Sequence, residues 1–374
     1  MKHCRHFLHC SGCLYEELEK TPDVFFRAKD YFLHEHALDL ALEKGRPMGW
    51  RGRSKLAVRQ GSDTHQIGLF EKNSHRVQAI PHCLVHHPAI NEAVKRVLQW
   101  SFSAYDEVHH TGDLRYIQCS VEEKSSTVQL VLVLNCSPEN EAVMNLWREK
   151  IHRAFDPSFW HSIWISCNPR KTNTIFGTYW EKVIGKDAIW HTLLGVDTAF
   201  GPAHFMQANL EMYERLLSDL SAHYTKEDRV LELYAGIGTI GIQAARHCHS
   251  VTLTEVQSQA EPYFELTRRM LPSEVSRKIR YLVLSAKEST RLVQDADTCI
   301  VDPPRSGLGK EVVDALLRGQ NVKKLIYVSC GFNSLVADLT HIKKEHPNYK
   351  IKAAKAYLFF PGTDHVEIVA VLAL

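Results

Sequence analysis

The stretch Arg229-Val-Leu-Glu-Leu-Tyr-Ala-Gly-Ile-Gly-Thr-Ile-Gly241 decides how this chain is read. A short apolar run enters a glycine turn, and a helix-compatible segment follows. Glycines at such a turn let the backbone approach a ligand at the carboxyl end of a sheet. Working outward, short apolar runs recur at 249–254, 298–301 and 324–328 with longer helical stretches between them, and a helical stretch at 206–222 precedes the first run. Strands alternating with helices predict a parallel sheet covered on both faces. Toward the amino terminus the texture changes. Residues 1–20 are rich in Cys and His, 25–43 read as a helix, and 54–135 alternate turn signals with strand-like runs such as Val128-Gln-Leu-Val-Leu-Val-Leu134. The expected fold class is α/β, with an N-terminal α+β module over residues 1–195 and a parallel-sheet domain over residues 196–374.

Composition limits partner and compartment. With 374 residues, 44% of them hydrophobic, the chain can bury two ordinary cores. Lys and Arg number 45 against 43 Asp and Glu, so no global basic field advertises a nucleic-acid partner. An RNA surface must then be local. Arg51-Gly-Arg-Ser-Lys55 and Arg268-Arg269 are candidates, although such clusters are more often plain solvated faces. No apolar run approaches the roughly 20 residues of a membrane span, and the start Met-Lys-His-Cys-Arg-His is no signal peptide. A cytoplasmic protein with no membrane partner is expected. In a reducing compartment its ten cysteines are core residues, metal ligands or catalysts rather than disulfides.

The glycine turn alone leaves two cofactors open. Gly236-Ile-Gly-Thr-Ile-Gly241 fits the dinucleotide fingerprint, and Glu255 ends the next strand, where a carboxylate can accept ribose hydroxyls. Adenosine is common to nicotinamide cofactors and S-adenosylmethionine, so an NAD-binding oxidoreductase is a rival reading. The fourth run, Cys299-Ile-Val-Asp-Pro-Pro-Arg305, adds Asp302 and a rigid proline turn at a strand end, a pattern characteristic of methyltransferases acting on bases. Enzymes that methylate base amino groups follow such prolines with an aromatic residue that stacks on the base. Here Arg305 follows, which suits a phosphate or a polar base edge.

Lys324-Leu-Ile-Tyr-Val-Ser-Cys330 then ends an apolar strand in a thiol. Carbon 5 of uracil is a poor nucleophile until a thiolate adds to carbon 6, so a methyltransferase acting there needs a cysteine. It also needs a base to remove the carbon-5 proton afterwards. Glu367, in Phe360-Pro-Gly-Thr-Asp-His-Val-Glu-Ile, precedes the C-terminal apolar strand and is the candidate. Singly, a Cys after an apolar run is more often core, and a Glu beside a strand more often surface. Their order and domain-scale spacing carry the reading.

On these residues the sequence resembles the bacterial RNA uracil-5-methyltransferase family. The matching segments are Phe205-Met-Gln-Ala-Asn209, Leu231-Glu-Leu-Tyr-Ala-Gly-Ile-Gly238, Leu253-Thr-Glu-Val256, Val301-Asp-Pro-Pro-Arg305, Val328-Ser-Cys330 and Asp364-His-Val-Glu-Ile368. The resemblance implies a Rossmann-like class I methyltransferase domain. It implies S-adenosylmethionine contacts at Gln207, Tyr234, Gly236, Glu255 and Asp302, with Cys330 as nucleophile and Glu367 as base. The chain departs from the family at Glu232 and Ala235, where Asp and Cys are common, and at Leu284-Ser-Ala286, where Gly-Asp-Ala is usual. Residues 265–271 lack the usual Asn-rich helix, and Gly362 stands where a His is common.

Cys4-x5-Cys10-x2-Cys13 offers three soft ligands on one short loop. The resemblance nominates Cys83 as the fourth, implying a [4Fe-4S] cluster, while spacing alone leaves zinc open beside His3, His6 and His9. Cysteines at the very start, with no oligonucleotide-binding barrel before them, resemble the smaller iron–sulfur 23S rRNA enzyme. 23S rRNA is therefore favoured over tRNA as partner, with the enzyme acting as a monomer. Trp50 beside Arg51 suits base and phosphate contacts on looped RNA.

Overall fold

The computed structural model describes residues 3–61, 64–72 and 74–374; Met1 and Lys2, at the head of the Cys- and His-rich segment, lie outside them. The chain builds two large sheets. The first has seven strands in the order Val77–Ala79, His65–Phe70, Arg53–Gln60, Leu114–Glu122, Thr127–Leu134, Trp160–Cys167 and Tyr179–Gly185. All neighbours are antiparallel except Thr127–Leu134 and Trp160–Cys167, which run parallel because helix Glu141–Ala154 connects them. Thr127–Leu134 is buried almost throughout, which explains its continuous apolar run. Helices Pro88–Leu98 and Glu141–Ala154 bury Ile90, Val94, Met144 and Trp147 in one cluster with Leu56, Ile117 and Leu132.

The second sheet has eight strands in the order Ala41–Lys44, Lys350–Leu358, Glu367–Ala373, Lys324–Ser329, Thr298–Val301, Arg229–Leu233, Ser250–Glu255 and Ile279–Val283. Only Glu367–Ala373 runs against the rest, antiparallel to both of its neighbours. From the central strand Arg229–Leu233 the chain steps outward through Ser250–Glu255 to Ile279–Val283, then returns to Thr298–Val301 on the other side. That reversal opens a crevice above the carboxyl ends of Arg229–Leu233 and Thr298–Val301, where α/β sheets bind ligands. The α/β class and the Rossmann-like order are those expected. Separate apolar clusters pack the two faces, one around Leu253, Phe264 and Ile326 and the other around Leu233, Val301 and Tyr327. Among the described residues no helix is long and apolar enough to cross a membrane.

The helix expected over 25–43 is two elements. Helix Asp23–His36 stops because Ala37 adopts a left-handed conformation, with φ 54°, and its N–H closes back on Leu33 O. Leu38, Leu40 and Leu42 then alternate toward the core, and Ala41–Lys44 pairs in parallel with Lys350–Leu358. Phe25, Ala28 and Phe32 pack with the eight-stranded sheet. Residues 23–44, on the amino-terminal side of a division at residue 195, are thus built into the second sheet.

Candidate active site and cysteine loop

The glycine turn sits at the carboxyl end of the central strand. Tyr234, Gly236 and Gly238 have positive φ, 62°, 56° and 83°, so left-handed residues alternate with ordinary ones along the turn. Gly241 is required by packing: a Cβ there would stand 2.2 Å from Leu253 Cδ2 and 2.4 Å from Glu232 Oε2. Gly236 N–H donates to Glu255 Oε2 at 2.9 Å, and Gln257 N–H donates to Oε1 at 2.8 Å. The carboxylate is thereby fixed at the strand end, and each oxygen keeps a lone pair for a diol. Tyr281 braces the turn from behind, its hydroxyl donating to Gly236 O at 2.7 Å.

Three strand ends bring the candidate site residues together. Thr298–Val301 delivers Asp302, Lys324–Ser329 delivers Cys330, and pairing of Ser329 with Ile368 sets Glu367 beside Cys330. The Asp302 and Cys330 loops are tied to each other, since Ser334 Oγ donates to Arg305 O at 2.8 Å and a Cβ on Gly331 would lie 2.9 Å from the same oxygen. Asp338 holds the next turn, accepting from Leu308 N–H and Tyr327 Oη, each at 2.8 Å.

Burial raises the proton affinity of the acid groups at this site. Burial lifts Glu367 to about 8, with the charge of Asp302 adding to it and Arg305 opposing. Burial lifts Asp302 to about 7. Beneath them Glu232 is fully buried and held well above the carboxylate range, first by burial and then by Asp302 and Glu255. The Cys330 thiol is pushed up to about 11 by burial and by Glu367 and Asp302, with Arg305 pulling the other way. Such an edge disfavours further negative charge and suits a cation.

Gln207 sits on a loop anchored on both sheets and lines a cavity together with Gln257, which follows Glu255. Arg53, on the first sheet, donates from Nη1 to His204 O at 2.6 Å and from Nη2 to Pro202 O at 2.7 Å. Gly52 N–H donates to Ala208 O at 2.7 Å, and Asn209 Nδ2 donates to Phe359 O at 2.9 Å. The sequence marked Arg51 to Lys55 as a basic patch; the structure makes Arg53 a buried clamp, a role with no local signal.

The four cysteines named from the sequence, Cys4, Cys10, Cys13 and Cys83, share the wall of one cavity of about 620 Å³. Gln207, Trp50, Arg51 and Phe360 line the same cavity. Arg51 stacks over Trp50, its guanidinium 4.7 Å from the ring centroid. Burial and the neighbouring thiols push Cys13 up to about 12. The cysteine loop also grips the loop before Glu367: Leu14 and Tyr15 N–H donate to Gly362 O at 2.8 and 3.0 Å. Gly362 has φ 87°, and a Cβ there would meet Leu18 at 2.6 Å and Cys13 Sγ at 3.4 Å, which excludes the His common at this position.

A model of the tRNA (Uracil-5-)-methyltransferase family matches residues 198–373. Over 372 residues the chain is 38% identical to an uncharacterized RNA methyltransferase of Protochlamydia amoebophila, covering 98% of this chain and 96% of that protein. It is 27% identical to an uncharacterized RNA methyltransferase of Caldanaerobacter subterraneus, covering 99% of this chain and 83% of that protein. The crystal structure of Pyrococcus abyssi tRNA (uracil-54, C5)-methyltransferase in complex with S-adenosyl-L-homocysteine shares the fold. Its TM-score is 0.76 at 24% identity, over 97% of this chain and 86% of that one.

Proposed function

Because the chain belongs to the RNA uracil-5-methyltransferase family, we propose that it methylates carbon 5 of a uridine in RNA through a covalent bond from Cys330, using S-adenosylmethionine rather than NAD. The observation that carries this reading is the convergence of Asp302, Cys330 and Glu367 at one sheet edge beside the glycine turn. Residues 196–374, completed by the helix and edge strand of residues 23–44, form the catalytic unit. S-adenosylmethionine, when bound, supplies the methyl group from a sulfonium, a cation that the buried acids of this edge favour. Tyr234, Gly236 and Glu255 hold its adenosine, with Gln207 and Asp302 closing on the methionine side.

Because burial raises the Cys330 thiol to about 11, it gives up its proton to solvent when the cationic cofactor and the uridine are in place. Its thiolate adds to carbon 6, and the ring electrons move onto the carbonyl at carbon 4 as an enolate. Carbon 5 then takes the methyl group. Glu367, as the carboxylate favoured once the sulfonium is bound beside it, removes the carbon-5 proton, and the carbon 6–sulfur bond breaks to return the thiolate. Glu367→Gln should add, methylate and stop. With substrate RNA and labelled S-adenosylmethionine it should give a slow, methyl-labelled band on a denaturing gel, and Cys330→Ala/Glu367→Gln should not. A Glu367→Gln protein that turns over normally removes Glu367 from the mechanism.

The cysteine wall has the donor set of a [4Fe-4S] cluster, held by Cys4, Cys10, Cys13 and Cys83. Four soft donors beside open volume support a many-atom cluster over a zinc ion. The cluster would supply a rigid brace there. Together with the resemblance to the smaller iron–sulfur enzyme, it supports 23S rRNA as substrate of a cytoplasmic, monomeric enzyme. The alternative is a tRNA uridine, the substrate named for the Pyrococcus abyssi enzyme of shared fold. Mapping 5-methyluridine in both RNAs from a deletion strain separates them: loss from 23S rRNA alone is expected, and loss from tRNA alone overturns the ribosomal assignment.

A further inference from the structure

Helices Lys310–Leu317 and Phe332–Glu345 pack side by side over the eight-stranded sheet. Each follows a loop of the catalytic edge, so both run away from the chemistry. Between them one carboxylate oxygen collects two imidazoles. Asp314 Oδ1 lies 2.7 Å from His341 Nε2 and 2.9 Å from His346 Nε2, and the three ligand atoms all lie within 4.8 Å of one another. Residues five apart on a regular helix point to different sides. His346 avoids this because it lies past the last turn, at φ −127° and ψ 58°, with its N–H still bonded to Ile342 O.

The cluster is sheltered yet reachable. The histidine side chains are 13% and 12% exposed and Asp314 is 28% exposed. Asp314 and His346 open onto a pocket of about 350 Å³ that Glu345, Gln320 and Asn348 also line. We propose that Asp314, His341 and His346 form a metal site, distinct from the catalytic edge and the cysteine loop, that takes one divalent ion of the zinc class. Two imidazole nitrogens and one carboxylate oxygen suit such an ion, whereas hard cations prefer all-oxygen shells. Water from the pocket would complete a tetrahedron. Arg318 lines the same pocket and opposes the cation, so the ion must be drawn by coordination rather than by net charge. Its place in the half of each helix away from the catalytic edge makes it a clamp between the two helices rather than a participant in catalysis.

Calorimetric titration of the full-length protein, as isolated, with Zn²⁺ tests this. One-to-one binding is expected, and Asp314→Asn and His341→Gln should each weaken it by at least about tenfold. His341→Gln is the discriminating variant, because a glutamine amide still donates to Asp314 and keeps the helix contact while removing the metal-binding nitrogen. Cys4→Ser should leave this binding event unchanged, and Zn²⁺ should raise the melting temperature of the wild type and not of the two variants. Absence of binding at millimolar Zn²⁺, unchanged affinity in His341→Gln, or loss in Cys4→Ser alone would each overturn the proposal and leave the trio as a hydrogen-bonded staple.

Discussion

Two carboxyl groups at the candidate catalytic edge contribute a pH dependence to stability. Folding holds Glu367 at about 8 and Asp302 at about 7, whereas in an unfolded chain both titrate near 4. The folded state therefore binds these protons more tightly. The resulting stability is fully present below about pH 4 and is lost as pH rises through about 7 to 8. Glu367→Gln cannot ionise, so its melting temperature relative to wild type should climb between about pH 5 and pH 9. A difference that stays flat across that range would mean that Glu367 is already charged in the fold. The same protonation favours a cofactor that brings its own positive charge, since ionising these acids is then the step that binding assists.

At the scale of elements, the loop 201–209 is held by the first sheet and used by the second. Arg53 is buried and lowered to about 10 by that burial, with its two terminal nitrogens on carbonyls of Pro202 and His204. Gln118 Nε2 shares Pro202 O at 2.9 Å. Lysine cannot reproduce the two-pronged contact, so Arg53→Lys should free the loop at a cost of about 1–3 kcal/mol in stability. Affinity for S-adenosylhomocysteine should fall with it, because Gln207 loses its fixed position. Calorimetric titration checks this, and undiminished affinity would show that Asn209 and Gly52 suffice to hold the loop.

At the scale of the whole molecule, the cysteine loop is a strap between the two sheets. It carries Cys4, Cys10 and Cys13 to Cys83 on one side, and on the other its backbone holds Gly362. The adjoining helix adds Val24 N–H on Asp364 Oδ1 at 2.7 Å. A bound metal cluster would therefore stiffen the loop that leads to Glu367. Protein purified without oxygen should be brown, with iron and acid-labile sulfide in near-equal amounts, and Cys83→Ser should lose both and melt earlier. Stoichiometric zinc with no iron would replace the cluster by a zinc site.

Short apolar runs ending in glycine, Asp-Pro-Pro or Cys were legible in the sequence because strand, turn and strand-end residue are neighbours in the chain. That fixed the α/β class, the strands at the catalytic edge and the identity of Glu255, Asp302, Cys330 and Glu367 as their terminal groups. Their approach to one another was not local. Glu367 stands beside Cys330 only because Glu367–Ala373 inserts antiparallel between Lys324–Ser329 and Lys350–Leu358. Residues 38–44 looked helical because the strand that draws Ala41–Lys44 into an extended conformation lies near the other end of the chain. Arg53 was legible as charge but not as a clamp, and Asp314, His341 and His346 carried no signal, since their meeting depends on how two helices pack. Covalent order determines what a segment can become; burial and pairing between distant segments decided which groups share a site.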